Sequence, residues 1–144
     1  MSSSLHVVCT HCHAVNRLPD DRLGDAGTCG KCHTPLFNGQ PIELDEAGFD
    51  KHLHRSDLPL VVDFWAPWCG PCRTMVPAFA EAARRLEPRY RLIKINTEEM
   101  QTLASRFGIR SIPTLAIFRN GREIARQAGA MDAGSILRWV ESNS

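Results

Sequence analysis

Six cysteines stand in three Cys-x-x-Cys pairs: Cys9/Cys12, Cys29/Cys32 and Cys69/Cys72. A two-residue spacer brings two sulfurs within reach of each other or of one metal ion, so each pair suits either redox chemistry or ligation. The third pair reads Trp68-Cys69-Gly70-Pro71-Cys72 and follows the apolar run Leu60-Val61-Val62-Asp63-Phe64-Trp65-Ala66. That order predicts a buried strand delivering a dithiol to the first turn of a helix, where unpaired amides and the helix dipole favour a thiolate. The dipole contributes about 0.3 to 1 kcal/mol, against about 1.36 kcal/mol for one pKa unit, so amide hydrogen bonds and the second thiol must supply the rest of any large shift. Cys69, at the strand-to-helix junction, is the expected nucleophile. Cys72, one turn inside, is placed to attack a mixed disulfide and release the reduced partner. Pro71 suits the first helical turn, where its missing N–H would be unpaired anyway.

Asp63 interrupts the apolar strand. A buried, unpaired carboxylate costs several kcal/mol, so burial is expected to raise its pKa and make it a base for the Cys72 thiol. The two titrations would then be coupled. The alternative is an acid hydrogen-bonded to backbone at a strand end. Lys94, in Leu92-Ile93-Lys94-Ile95, is either its partner on a neighbouring strand or an ordinary solvated lysine.

Cys9, Cys12, Cys29 and Cys32 have the spacing of a four-thiolate zinc site, with 16 residues between the pairs. His11, His13 and His33 lie beside them, but both cysteine pairs keep the two-residue loop that zinc turns prefer, so the histidines are expected at the surface. Four thiolates leave no open position, and the ion would be structural. The segment to about Asn38 is too poor in large apolar residues to fold alone, and a metal is expected to supply its stability. Gly30 is the expected turn former in the second pair.

The formal net charge is +1, with basic residues spread along the chain, which excludes an electrostatic footprint for nucleic acid or an anionic membrane. The run Arg84, Arg85, Arg89, Arg91 is broken by Glu81 and Glu87 and reads as a solvated helix face. No apolar stretch reaches the roughly 18 residues of a spanning helix, and Met1-Ser2-Ser3-Ser4-Leu5-His6 lacks the regions of a signal peptide. A cytoplasmic protein is expected, in which reducing conditions keep the thiols free.

Beyond Pro41 the pattern predicts alternating elements. A strand over 42–44 precedes a helix capped by Asp45, and Leu60–Ala66 is a central strand. A helix over 69–86 is kinked at Pro77, a strand covers 91–95, and Thr97 caps a helix through Phe107. Two strands flank the turn Asn120-Gly121, and Asp132 begins the last helix. Strands and helices that alternate and close on ββα make an α/β fold with a mixed sheet flanked by helices.

The segment from Val62 to Arg73 resembles the active-site segment of the thioredoxin family, and Gly108 to Thr114 resembles its cis-proline loop. Phe118-Arg119-Asn120-Gly121 is similar to its hairpin and Gly129-Ala130 to its glycine loop. The Cys9-Thr10-His11-Cys12, Asn16 to Arg22 and Cys29-Gly30-Lys31-Cys32 segments resemble the zinc-binding extension of bacterial thioredoxins of the thioredoxin-2 type. The resemblance implies a thioredoxin fold over 39–144 behind a small four-cysteine zinc domain over 1–38. It implies protein-disulfide reduction through a redox-active Cys69–Cys72 disulfide, with Asp63 and Lys94 assisting proton transfer. Client polypeptide would lie on Trp68, Gly70, Pro71, Ile112, Pro113, Gly129 and Ala130. The implied cofactor is one structural zinc per chain, and the partners are disulfide-containing proteins and an NADPH-dependent thioredoxin reductase, with no nucleic acid or membrane and a monomeric chain. Arg73 stands where single-domain thioredoxins commonly carry lysine, which touches substrate preference more than chemistry. The rival function is a zinc-controlled redox sensor or client-binding protein, whose N-terminal thiolates release metal on oxidation.

Overall fold

A computed structural model describes residues 3–25 and 27–144; Met1 and Ser2 of the N-terminal reading lie outside them. Strands β1 (Ser4–Val8) and β2 (Val15–Pro19) form an antiparallel hairpin, followed by a 3-10 turn over Asp20–Asp25. Next come β3 (Ile42–Glu43), α1 (Glu46–Arg55), β4 (Leu60–Trp65), α2 (Gly70–Leu86), β5 (Arg91–Asn96), α3 (Gln101–Arg106), β6 (Thr114–Arg119), β7 (Arg122–Ala128) and α4 (Ala133–Asn143). The main sheet has the order β3-β5-β4-β6-β7, with β3, β5 and β4 parallel and β6 and β7 antiparallel, so the expected mixed sheet is present. Among the described residues no helix is long and apolar enough to cross a membrane.

Period-two alternation sorts the core into two layers. Leu60, Val62 and Phe64 of β4 pack with Phe49, Leu53 and Leu103 on the α1 and α3 side. Val61 packs with Met75, Phe79, Ile136 and Val140 on the α2 and α4 side. Asp63 and Trp65 share the Val61 face, so the acid is directed to the layer that carries the dithiol helix.

Local chemistry accounts for most element ends. The side chain of Asp45 accepts from the amide of Gly48 (2.8 Å) and that of Asp132 from the amide of Ser135 (2.8 Å), as N-caps. Asn120 (φ 53°) and Gly121 (φ 80°) take the two left-handed positions of the β6–β7 hairpin. α2 continues through Pro77, which withholds one amide from the ladder. Thr97 does not cap α3. Its hydroxyl donates to the carbonyl of Trp65 (3.0 Å), while the Asn96 side chain accepts from the amides of Glu98 (3.0 Å) and Glu99 (3.4 Å). The helix starts later, behind Met100, with no side-chain cap.

The N-terminal segment is not a metal-held appendage alone. Val7 and Leu23 are buried against Leu58, and Leu36 is buried beside Cys9 and Cys29. Asp57 takes the amide of His6 (2.7 Å) and returns its own amide to the His6 carbonyl (2.8 Å). Arg91 corrects the reading of a solvated arginine face. Arg84, Arg85 and Arg89 are exposed, but Arg91 retains 1% of its surface, because β5 starts there under the N-terminal segment. Its guanidinium donates to the carbonyls of Leu36 (3.0 Å) and Val8 (3.2 Å) and to Glu87 (3.1 Å), and lies 4.6 Å from the Phe37 ring centre. Glu87 also accepts the amide of Gly39 (2.8 Å). His52 of α1 is fully buried and meets His13 edge to face at 5.8 Å. Gly48 makes that approach feasible, since a Cβ there would stand 3.2 Å from His13.

Removing one member of a buried ion pair strands the other charge, at a cost of about 3 to 5 kcal/mol. Arg91→Met should therefore lower the urea midpoint by roughly that free energy, and adding Glu87→Gln should restore part of it. An Arg91→Met protein as stable as the parent would show that this network does not hold the two parts together.

Candidate redox and metal site

The strand that ends at Trp65 turns over Ala66 and Pro67 and enters α2 with Cys69 as N-cap residue. Cys69 and Cys72 are disulfide-bonded, with Cα atoms 5.2 Å apart. The Sγ of Cys69 accepts the amide of Cys72 (3.2 Å), one of the donors that a helix start leaves unpaired. Exposure scarcely distinguishes the two sulfurs, since Cys69 keeps 5% of its surface and Cys72 2%. Position does: Cys69 lies outside the first helical turn and Cys72 inside it.

The carbonyl of Ile112 lies 3.8 Å from the Cys69 sulfur, and the Ile112–Pro113 peptide is cis, the geometry the resemblance implies. Gly129 (φ 100°) donates its amide to the Pro113 carbonyl (2.9 Å), which ties the glycine loop to the proline loop. Trp68 is 67% exposed beside the disulfide, and Gly70, Pro71, Gly129 and Ala130 are exposed as well. Ile112 is half-buried and Pro113 buried. The client-facing residues of the sequence reading thus come from three separate loops, drawn together at one end of the sheet.

Asp63 is buried, with 2% of its surface exposed, and its Oδ1 has no hydrogen-bond partner. Burial pushes its carboxyl up to about 7, partly offset by the Lys94 charge and reinforced by that of Glu43. Lys94 sits opposite Asp63 in the β4–β5 register, yet its Nζ lies over the Trp65 ring, 4.5 Å from the centre, and forms no ion pair with Asp63 among the described residues. Trp65 in turn donates its indole N–H to Glu43 (2.9 Å). Glu43 escaped the sequence reading: on a two-residue strand it looks like any edge carboxylate, and only the sheet order brings it beside Lys94.

Cys9, Cys12, Cys29 and Cys32 converge, with all four sulfurs within 4.8 Å of one another. The Cys9–Cys32 and Cys12–Cys29 separations are 3.6 and 3.7 Å. A tetrahedron with zinc–sulfur bonds of about 2.3 Å has edges of about 3.8 Å, so the cage fits such an ion. Two matching turns build it. The amides of Cys9 and His13 pair with Ala14 and Cys9, and those of Cys29 and His33 with Thr34 and Cys29. The amides of His11 (3.3 Å) and Lys31 (3.4 Å) point at the sulfurs of Cys9 and Cys29. The left-handed positions of these turns are His13 (φ 63°) and His33 (φ 66°), not Gly30, whose amide donates to the Asn16 side chain (2.9 Å). Asn16 also donates to the Cys29 sulfur (3.5 Å), a support that no spacing rule signals. His11 and His33 are exposed as expected, whereas His13 is half-buried with its Nδ1 enclosed.

Hydrogen bonds from Thr34 hold the Cys32 thiol down to about 5, and the Cys32 amide with Asn16 and Lys31 holds Cys29 down to about 7. Although the Ala14 amide lowers Cys12, burial and the neighbouring sulfurs push that thiol up to about 11. Negative charge thus gathers on part of the cluster while its neighbours resist further ionisation, a conflict that a dication would remove.

Comparison with known proteins bears on both sites. Residues 40–142 match the thioredoxin family model, and residues 8–34 match the model described as the N-terminal region of thioredoxin 2. The chain is 41% identical to thioredoxin C-3 of Corynebacterium nephridii over 135 residues, covering 94% of this chain and 92% of that protein. It is 44% identical to thioredoxin 1 of Synechococcus elongatus over 100 residues, covering 69% of this chain and 94% of the relative. The thioredoxin of Rickettsia bellii is 38% identical over 100 residues, 69% of this chain and 95% of its own length. A dithiol at a helix start beside a cis-proline loop, on this sheet and with these relatives, makes the chain a member of the thioredoxin family of protein-disulfide oxidoreductases.

Proposed function

We propose that the protein reduces disulfides in client proteins, with Cys69 as nucleophile and Cys72 as resolving thiol. The single observation carrying this reading is the Cys69–Cys72 disulfide at the N-terminus of α2, with the Ile112 carbonyl 3.8 Å from the Cys69 sulfur. In the reduced protein the Cys69 thiolate attacks a client sulfur, the client S–S bond breaks, and the other client sulfur leaves as a thiolate. Asp63, whose pKa near 7 suits a base at neutral pH, takes the Cys72 proton. The Cys72 thiolate then attacks the Cys69 sulfur, forming the Cys69–Cys72 disulfide and releasing the second client thiolate. Two electrons have passed to the client, and an NADPH-dependent thioredoxin reductase returns them, as the family relationship suggests. Lys94 is assigned to the charge balance around Asp63. Client backbone and side chains are taken by Trp68, Gly70, Pro71, Gly129 and Ala130, which are exposed, and by the more buried Ile112 and Pro113 between them.

The four N-terminal thiolates are assigned one structural zinc, a reading supported by the cage dimensions and the match to a zinc-ribbon family. Zinc would cross-link the two turns and supply the folding free energy that the small apolar cluster lacks. The chain is divided into units of 1–38 and 39–144, a reading supported by the family matches at 8–34 and 40–142. A cytoplasmic setting follows from the need for reduced zinc thiolates.

In an insulin-reduction assay, Cys69→Ser should abolish turnover, whereas Cys72→Ser should accumulate mixed disulfides with clients, visible on non-reducing gels. Trapping by the Cys69 variant instead would reverse the two roles.

Asp63→Asn should slow turnover near neutral pH. It should also stabilise the fold. The carboxyl rises from an ordinary 3.8 to about 7 in the folded protein, so the folded state holds its proton more tightly than the unfolded chain. The penalty is absent below pH about 4, grows as pH rises through 7, and reaches at most roughly 4 kcal/mol above that. Asparagine should then add about 2 to 4 kcal/mol at pH 8 and little at pH 4, measured by urea unfolding. Equal gains at both pH values would rule out the buried-acid account.

Elemental analysis should find close to one zinc per chain, lost in Cys9→Ser. Chelation should open protease cleavage within the first 38 residues before the rest of the chain is cut. If loss of metal stopped reduction outright, the ion would belong to the redox site and not to the ribbon.

A further inference from the structure

One register row crosses the sheet face that lies under α2. It runs from Glu43 on β3 through Lys94 on β5 and Asp63 on β4 to Leu115 on β6. Residues opposite one another in neighbouring strands share a face and stand about 5 Å apart, so Lys94 has a carboxyl on each side. One ammonium cannot pair closely with both. Its Nζ lies over Trp65, 4.5 Å from the ring centre, and Trp65 is itself fastened to Glu43 by the 2.9 Å indole hydrogen bond. Asp63, by contrast, has no ion pair among the described residues, and its Oδ1 is buried without a partner.

We propose that Glu43 is a positioning residue for the proton chemistry of the dithiol: its carboxylate charge, fixed at the Trp65 indole, holds the Lys94 ammonium on that ring, which denies Asp63 a fixed cationic partner and so keeps that carboxyl able to hold a proton. The inference rests on the reading of Asp63 as the base for Cys72. Trp65 is the physical link, since it packs against the cluster of Ala66, Cys69 and Cys72 on one side and bonds Glu43 on the other.

Removing the Glu43 charge acts on Asp63 twice, with the same sign. A like charge is lost, and Lys94 is freed to turn toward the remaining carboxylate; both favour the ionised form of Asp63. The charged groups that act on Asp63 are Lys94 from β5 and Glu43 from β3, β6 presents Leu115 opposite it, and the disulfide at the start of α2 does not titrate. Around Glu43 they are Lys94 and, from the segment before α3, Glu99. Glu43 is exposed at the sheet edge; partial desolvation raises it, the Trp65 hydrogen bond and Lys94 draw it back, and Glu99 opposes them.

Glu43→Gln keeps the shape and can still accept the indole N–H, so the fold should survive, as a thermal melt would verify. The test follows the Asp63 carboxyl carbon by NMR across pH in the full-length oxidised protein. The Asp63 midpoint should fall by about half a unit to one unit in Glu43→Gln. With Lys94→Met already present, the same change should produce a smaller fall, since half of the effect runs through the ammonium. An unmoved midpoint, or an equal fall in both backgrounds, would overturn the proposal. Client reduction by the reduced protein is measured in parallel, and its acid limb should move to lower pH with the NMR midpoint. A moved midpoint with an unmoved rate profile would overturn the assignment of Asp63 as base while leaving its coupling to Glu43 demonstrated.

Discussion

Strand β4 is hydrogen-bonded along both edges, to β5 and β6, and buried on both faces, and each functional group is placed relative to it. A strand held in this way has no freedom of register, because a slip of one residue would exchange its two faces. Its even-numbered residues serve the α1 and α3 layer and its odd-numbered residues the α2 layer. Asp63 is therefore committed to the dithiol side, and the chain leaving Trp65 must place Cys69 at the start of α2. The antiparallel neighbour β6 begins at Thr114, which sets Ile112 and Pro113 beside the same helix end. Burial of one acid in this strand costs stability and provides a group that titrates near neutrality.

The joint between the two parts of the chain uses different physics. Apolar area there is modest, and a buried guanidinium bonded to two N-terminal carbonyls and to Glu87 supplies geometry instead. Such a network confers orientation more readily than net stability, because desolvation offsets much of the Coulomb attraction. His13 belongs to one of the two cysteine turns and also meets His52 of α1 edge to face, so those turns and the larger domain share a packed contact.

Patterns written in consecutive residues were legible. The three Cys-x-x-Cys pairs, the buried strand before the third, the Asn120-Gly121 hairpin and the Asp45 and Asp132 caps all appear where local chemistry places them. So does the convergence of four thiols, since the spacing already demanded two turns facing one point. Two local readings failed because a distant group competed for the same atom or the same space. Thr97 gave its hydroxyl to Trp65, and Gly30 was not the strained position of its turn. The β1–β2 hairpin carries too weak an alternation to be seen without its partner.

By itself the sequence determined the fold class, the dithiol, the convergence of four N-terminal thiols and the buried acid, because these depend on residue type, short spacing and the cost of burying charge. Only the tertiary structure decided that Arg91 is interior, that Glu43 faces Lys94 and binds Trp65, and that Lys94 rests on an indole instead of pairing with Asp63. Those facts depend on strand order and on which charge is desolvated. Neither is written in the neighbouring residues of the chain, since the sheet sets β3 beside β5 across some fifty positions.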